Sequence, residues 1–184
     1  MKNLAALTAV LALAAGLAAC SSGRSTGTAS TTPASGTETI YGKLTGAAAM
    51  SSHPVFHLTL TGPVDTTATI QLGAPPEKGA SYAFGTPVGT LAVTLDSAGT
   101  STAGLKSTTT CLYAITTTVP FTVDRAASTG KFAGATGTGQ AVVTFAGDDP
   151  KFSNGTCNEA PNLQPSTQTS VATLTATIKL TVEQ

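Results

Sequence analysis

The stretch Ala172-Thr173-Leu174-Thr175-Ala176-Thr177-Ile178-Lys179-Leu180-Thr181-Val182 alternates apolar and polar residues without a break. Ala172, Leu174, Ala176, Ile178, Leu180 and Val182 fall on one face; four threonines and Lys179 fall on the other. A period of two sustained over eleven residues suits a pleated strand and no helix. One face is set for a core and the other for water, as in an antiparallel sheet.

Working outward, the same pattern returns in shorter pieces. Phe56, Leu58 and Leu60 alternate with His57 and Thr59, and Leu91, Val93 and Leu95 with Ala92 and Thr94. Tyr113, Ile115, Thr117, Val119, Phe121 and Val123 share one parity, and Ala141–Phe145 is a short apolar run. Turn signals separate them: Thr61-Gly62-Pro63, Ala74-Pro75-Pro76, Asp96-Ser97-Ala98-Gly99 and Gly147-Asp148-Asp149-Pro150. Threonine occurs 36 times, and branched side chains of this kind favour the extended backbone. The reading is an all-β domain, an antiparallel barrel or sandwich of about 8–10 strands, spanning residues 38–184.

The other end of the chain carries an address. Lys2 precedes an uncharged run, Leu4–Ala19, shorter than the roughly 20 residues a membrane-spanning helix needs. A short apolar run between a positive charge and small residues predicts a cleaved export signal over residues 1–19. Leu17-Ala18-Ala19-Cys20 resembles the lipobox of bacterial lipoproteins, and every position fits. The resemblance implies diacylglyceryl transfer to the Cys20 sulfur, cleavage before it and often acylation, for instance with palmitate, of the new amino group. Two or three acyl chains anchor stably where one does not. The expected location is the extracytoplasmic face of the cell membrane, held by lipid on Cys20. Residues 20–37 then form a lipidated cysteine and a flexible linker. From Ser21 to Thr37 only Arg24 is not Ser, Thr, Gly, Ala or Pro, so ordering that stretch would be poorly compensated.

With Cys20 lipidated, Cys111 and Cys157 remain. A pair of cysteines in an exported chain predicts a disulfide. It would pin the long polar loop around Lys151–Asn158 to the strand that Cys111 opens, and stabilise by up to roughly 4 kcal/mol in the chain-entropy model.

Chemistry-bearing residues are sparse. His53 and His57 are the only histidines. Pro54 opposes a helix there, and in an extended chain the two rings stand some 13 Å apart, too far to share one metal. Both are read as solvent-facing. Asp148 and Asp149 are read as a solvated turn rather than a Ca²⁺ site. Neither a G-x-S-x-G elbow nor a phosphate-cradling P-loop is present. Asn154-Gly155-Thr156 fits a glycosylation sequon, read as accidental beside a bacterial lipobox. No catalytic residue, metal ligand or cofactor is assigned.

The run Ser128-Thr129-Gly130-Lys131-Phe132-Ala133-Gly134-Ala135-Thr136-Gly137-Thr138-Gly139 is the most distinctive internal segment. Residues 130–139 resemble the G-[K/R]-F-x-G-A-x-G segment of allene oxide cyclase-like and dirigent-like β-barrels, where it forms a hairpin entering a barrel strand. The resemblance implies a barrel and transfers no catalytic residue. The run and the Ala/Thr/Gly-rich composition are also similar to functionally unassigned secreted lipoproteins of high-GC Gram-positive bacteria.

Nine Lys/Arg balance nine Asp/Glu, and loss of Lys2 leaves a net charge near −1. With no basic stripe, nucleic-acid binding has no electrostatic support. The expectation is a membrane-anchored envelope lipoprotein serving as a noncatalytic binding or interaction module. Its candidate partners are a small apolar ligand, a glycan or a protein, with the loop Gly147–Gln168 as the rim of a barrel mouth. The alternatives are a cyclase-like barrel enzyme and a structural lipoprotein without ligand.

Overall fold

A computed structural model of the chain describes residues 33–73, 75–158, 166 and 168–183. Nine strands form in chain order: β1 (Ala34–Thr45), β2 (Val55–Thr61), β3 (Thr66–Gln71), β4 (Ser81–Thr86), β5 (Gly89–Leu95), β6 (Thr100–Ser107), β7 (Leu112–Val123), β8 (Thr136–Asp148) and β9 (Val171–Val182). The two helical elements among the described residues are single 3₁₀ turns, Gly46–Ala48 and Gly130–Phe132. All strand pairings are antiparallel, in the order β5-β4-β3-β2-β1-β9-β8-β7-β6, and a further β5–β7 pairing closes the ring. The result is a closed eight-stranded barrel with β6 as an extra strand. Of the two sheet arrangements open from sequence, the barrel is the one formed.

The interior follows the period-two rule. The six apolar residues of β9 from Ala172 to Val182 are at most 2% exposed. They share one core with Ile40 of β1, Phe56, Leu58 and Leu60 of β2, and Leu91 and Val93 of β5. Closure leaves the barrel ring without a free edge, while the extra strand β6 pairs on one side only, with β7.

The strands are stitched unevenly. β1 and β9 pair along twelve residues, from Ala34–Val182 to Thr45–Val171. β3 and β4 meet in register at one pair, Thr69 and Gly85.

Four sequence expectations shift. The linker expected to run to Thr37 gives way to strand at Ala34, because Ala34–Thr37 pair with Lys179–Val182. Small polar side chains do not prevent a backbone from completing a ladder. The run expected at Ala141–Phe145 is the middle of a thirteen-residue strand that takes in Gly147 and Asp148 of the expected turn. Asp148 pairs with Leu112, its N–H donates to Thr169 Oγ1 and its carbonyl accepts from Ser166. Asp96–Gly99 does not reverse the chain. β5 and β6 both run antiparallel to β7, which they follow in succession from Val93–Val123 to Ser107–Leu112. The four residues are a kink in one long strand. Gly99 has φ +77°, and a Cβ there would meet Thr118 O at 2.3 Å. Finally, β1, β3, β4 and β6 were not singled out from sequence.

One end of the barrel is plugged. Phe132 and Ala135, in the β7–β8 connection, are fully buried members of the core. The segment before them lies along the start of β5: Thr129 N–H donates to Thr90 O at 2.9 Å and Lys131 N–H to Val88 O at 2.8 Å. Gly89 and Gly130 permit this contact, since a Cβ on either would stand 2.2 Å from a carbonyl oxygen of the other segment. The run 128–139 therefore supplies a plug and the entry into β8.

Candidate functional site

The opposite end of the barrel is open, and a cavity of about 310 Å³ enters it. One wall is built by β7 and β8, whose cross-strand pairs Thr117–Val143 and Val119–Ala141 face inward. The facing wall comes from Ile70, Leu72, Tyr82, Phe84, Val93 and Leu95 on and beside β3, β4 and β5. Phe121 is the deepest lining residue of β7. Its ring lies over Gly139, where a Cβ would stand 2.6 Å from Phe121 Cζ.

One small inward residue, Ala141, lines the cavity. Ala141 pairs with Ala176, which in turn pairs with Ile40. Gly42 offers no side chain where a Cβ would stand 2.4 Å from Leu58 Cδ2.

The rim consists of the β1–β2 connection, through Ser51, Ser52 and Pro54, and the β3–β4 connection, through Gly73, Pro75 and Pro76. This differs from the expected rim, Gly147–Gln168, none of whose described residues lines the cavity. That loop is drawn instead to the β6–β7 turn. Asp149 N–H donates to Cys111 O, Lys151 Nζ donates to Thr109 O, and Lys151 forms an isolated bridge with Cys157. The described lining contains no Asp, Glu, Lys, Arg or His. Its polar groups are hydroxyls: Ser51, Ser52, Tyr82 and Thr117, the last sharing a 2.9 Å hydrogen bond with Ser101 Oγ.

The expected site residues fall as follows. Cys20 and the signal segment lie outside the described residues. Cys111 and Cys157 meet at bonding distance, with Cα atoms 5.3 Å apart and 46 residues between them in sequence. Cys111, fully buried, takes φ +60°, the one described non-glycine residue with positive φ. His53 lies in the connection before β2, its Nδ1 3.0 Å from Ser52 Oγ, while His57 is exposed on β2. Asn154 Oδ1 accepts from Thr156 N–H and Oγ1, so the sequon folds on itself as a tight turn around Gly155.

One buried acid was not singled out from sequence. Glu38 points inward from β1 toward the plugged end and is fully buried. Its Oε2 accepts Val64 N–H at 3.0 Å, and Oε1 has no hydrogen-bond partner. Burial raises its pKa above the ordinary carboxylate value; the Val64 hydrogen bond opposes this and the Asp65 charge adds to it. The sequence cue was a single acid at an inward parity, two residues before Ile40.

Among the described residues no helix is long and apolar enough to cross a membrane. No family model, curated protein or solved structure matches the chain, so the cavity itself carries the functional argument.

Proposed function

We propose that the chain is an envelope lipoprotein, anchored by lipid on Cys20, whose barrel is a noncatalytic module that takes a small apolar ligand into its open end. The observation that carries the binding reading is the 310 Å³ apolar cavity. It lies at the lower edge of the size range of ligand sites, and its few polar groups sit in an otherwise hydrophobic wall, as ligand sites usually do. Those polar groups are neutral hydroxyls, which orient a ligand by hydrogen bonding more readily than they move its protons. The anchoring reading is supported by Leu17-Ala18-Ala19-Cys20 behind an uncharged apolar run.

Two experiments test the proposal. Metabolic labelling with a palmitate analogue should mark the wild-type chain and not Cys20→Ala; equal labelling of both overturns the anchor. Native mass spectrometry of the protein purified from its own membrane should show a bound apolar adduct, reduced by Val143→Phe, which fills the cavity. A ligand-free spectrum for both, with no uptake of added apolar compounds, overturns the binding reading.

A further inference from the structure

We infer that the ligand is a single unbranched hydrocarbon chain bearing an uncharged polar end, and that the part of the chain too long for the cavity lies along an apolar ledge continuing β7 past the mouth. This rests on the binding reading above and adds its ligand class.

The first observation is the shape. On β7 the lining runs from Thr117 to Phe121. Four residues span about 13 Å of strand, or about 10 Å along the axis of a barrel whose strands tilt by roughly 40°. The cavity of about 310 Å³ follows this depth and continues to Phe145 and the rim, so it is an elongated apolar space. An elongated apolar space suits one extended chain better than a compact fused ring system.

The second observation is the ledge. The β7–β8 register is unbroken from Thr122–Thr138 to Leu112–Asp148, so Ile115 and Tyr113 keep the inward parity of Thr117 above the mouth. Ile115 is 42% exposed and pairs with Phe145, itself part of the cavity lining. On the other side Ala103 pairs with Ile115 and Leu105 with Tyr113. An apolar strip thus leads out of the cavity, two residue pairs long and open to solvent at Ile115.

The third observation is charge. A carboxylate drawn into this lining would meet no cationic side chain among the described residues, and burying an unpaired ion is far costlier than burying a hydroxyl or ester. The Ser51 and Ser52 rim and the Thr117–Ser101 pair offer hydrogen bonds that suit a neutral end.

The test uses the full chain carrying Cys20→Ala, to keep its own lipid out of the assay, with calorimetric titration at pH 8. The probes are decanol, decanoate, tetradecanol and a polycyclic hydrocarbon of similar volume. Decanol should bind at least tenfold more tightly than decanoate and than the polycycle. Tetradecanol should bind more tightly than decanol, and Ile115→Ser should remove that gain, weakening tetradecanol more than decanol. Val143→Phe should weaken all chains tenfold or more; should it fail to fold, Ala141→Leu serves in its place. Equal binding of decanoate, or preference for the polycycle, overturns the ligand class while the binding reading stands. Absence of binding by every probe overturns both.

Discussion

Phe121 and Gly139 face each other across β7 and β8, and the aromatic ring occupies the space a side chain on Gly139 would need. A Cβ there would also stand 2.6 Å from Thr177 O on β9, so the glycine is held from two sides. Gly139→Ala should destabilise the domain by about 1–3 kcal/mol through overpacking. Adding Phe121→Leu should recover part of the loss, because the ring yields and the Thr177 carbonyl does not. Urea denaturation of the single and double variants measures both steps.

Phe132 seals the end opposite the mouth. Phe132→Ala should cost about 3–5 kcal/mol, the range for removing a buried aromatic ring. Chain probes should still enter the cavity, whose lining does not include Phe132. Loss of stability with retained binding is the expected pair of results; unchanged stability would remove Phe132 from the role of plug.

The raised pKa of Glu38 sets a pH dependence with a definite sign. The fold favours the protonated carboxyl, so its contribution is fully present below the unfolded value near 4.5 and is lost as pH rises through the higher folded value. Wild-type stability should therefore fall, relative to Glu38→Gln, as pH is raised from 4 toward neutrality. The amide keeps an oxygen for Val64 N–H and carries no charge to bury. Denaturant midpoints across this range for both proteins check the sign; a rising difference in favour of wild type contradicts it.

Joining Cys111 to Cys157 closes a loop across 46 residues. Cys111→Ala with Cys157→Ala should lower stability by about 2–4 kcal/mol. It should also speed tryptic cleavage after Lys151, whose segment then loses its covalent tie to the β6–β7 turn. Non-reducing electrophoresis and limited proteolysis read the two effects.

How much of this was legible in the sequence depends on what each residue faces. β9 could be read in full because one face meets the core and the other meets water. β8 could be read only in its middle, because from Ala141 to Ala146 both faces are half-buried and Gly137 and Gly139 carry no pattern. Asp96–Gly99 has the composition of a reversal and acts as a kink, since composition marks a break in pairing without giving the direction of the chain beyond it. The cavity was not legible. Phe84, Val93 and Val143 read as core residues whether or not the space between them is filled. Which inward residues ring that space depends on registers, such as Ala141 with Ala176, that appear only once the strands are paired.

The lone stitch between Thr69 and Gly85 makes this barrel a ring with one weak link. Ile70 and Leu72 on one side of the gap, and Tyr82 and Phe84 on the other, belong to the cavity wall. Parting there would slit the vessel lengthwise and bare two strand borders, Thr66–Gln71 and Ser81–Thr86, each able to zip onto a neighbouring molecule. A ligand of the proposed kind, by touching both lips at once, would act as the thread that keeps the slit shut.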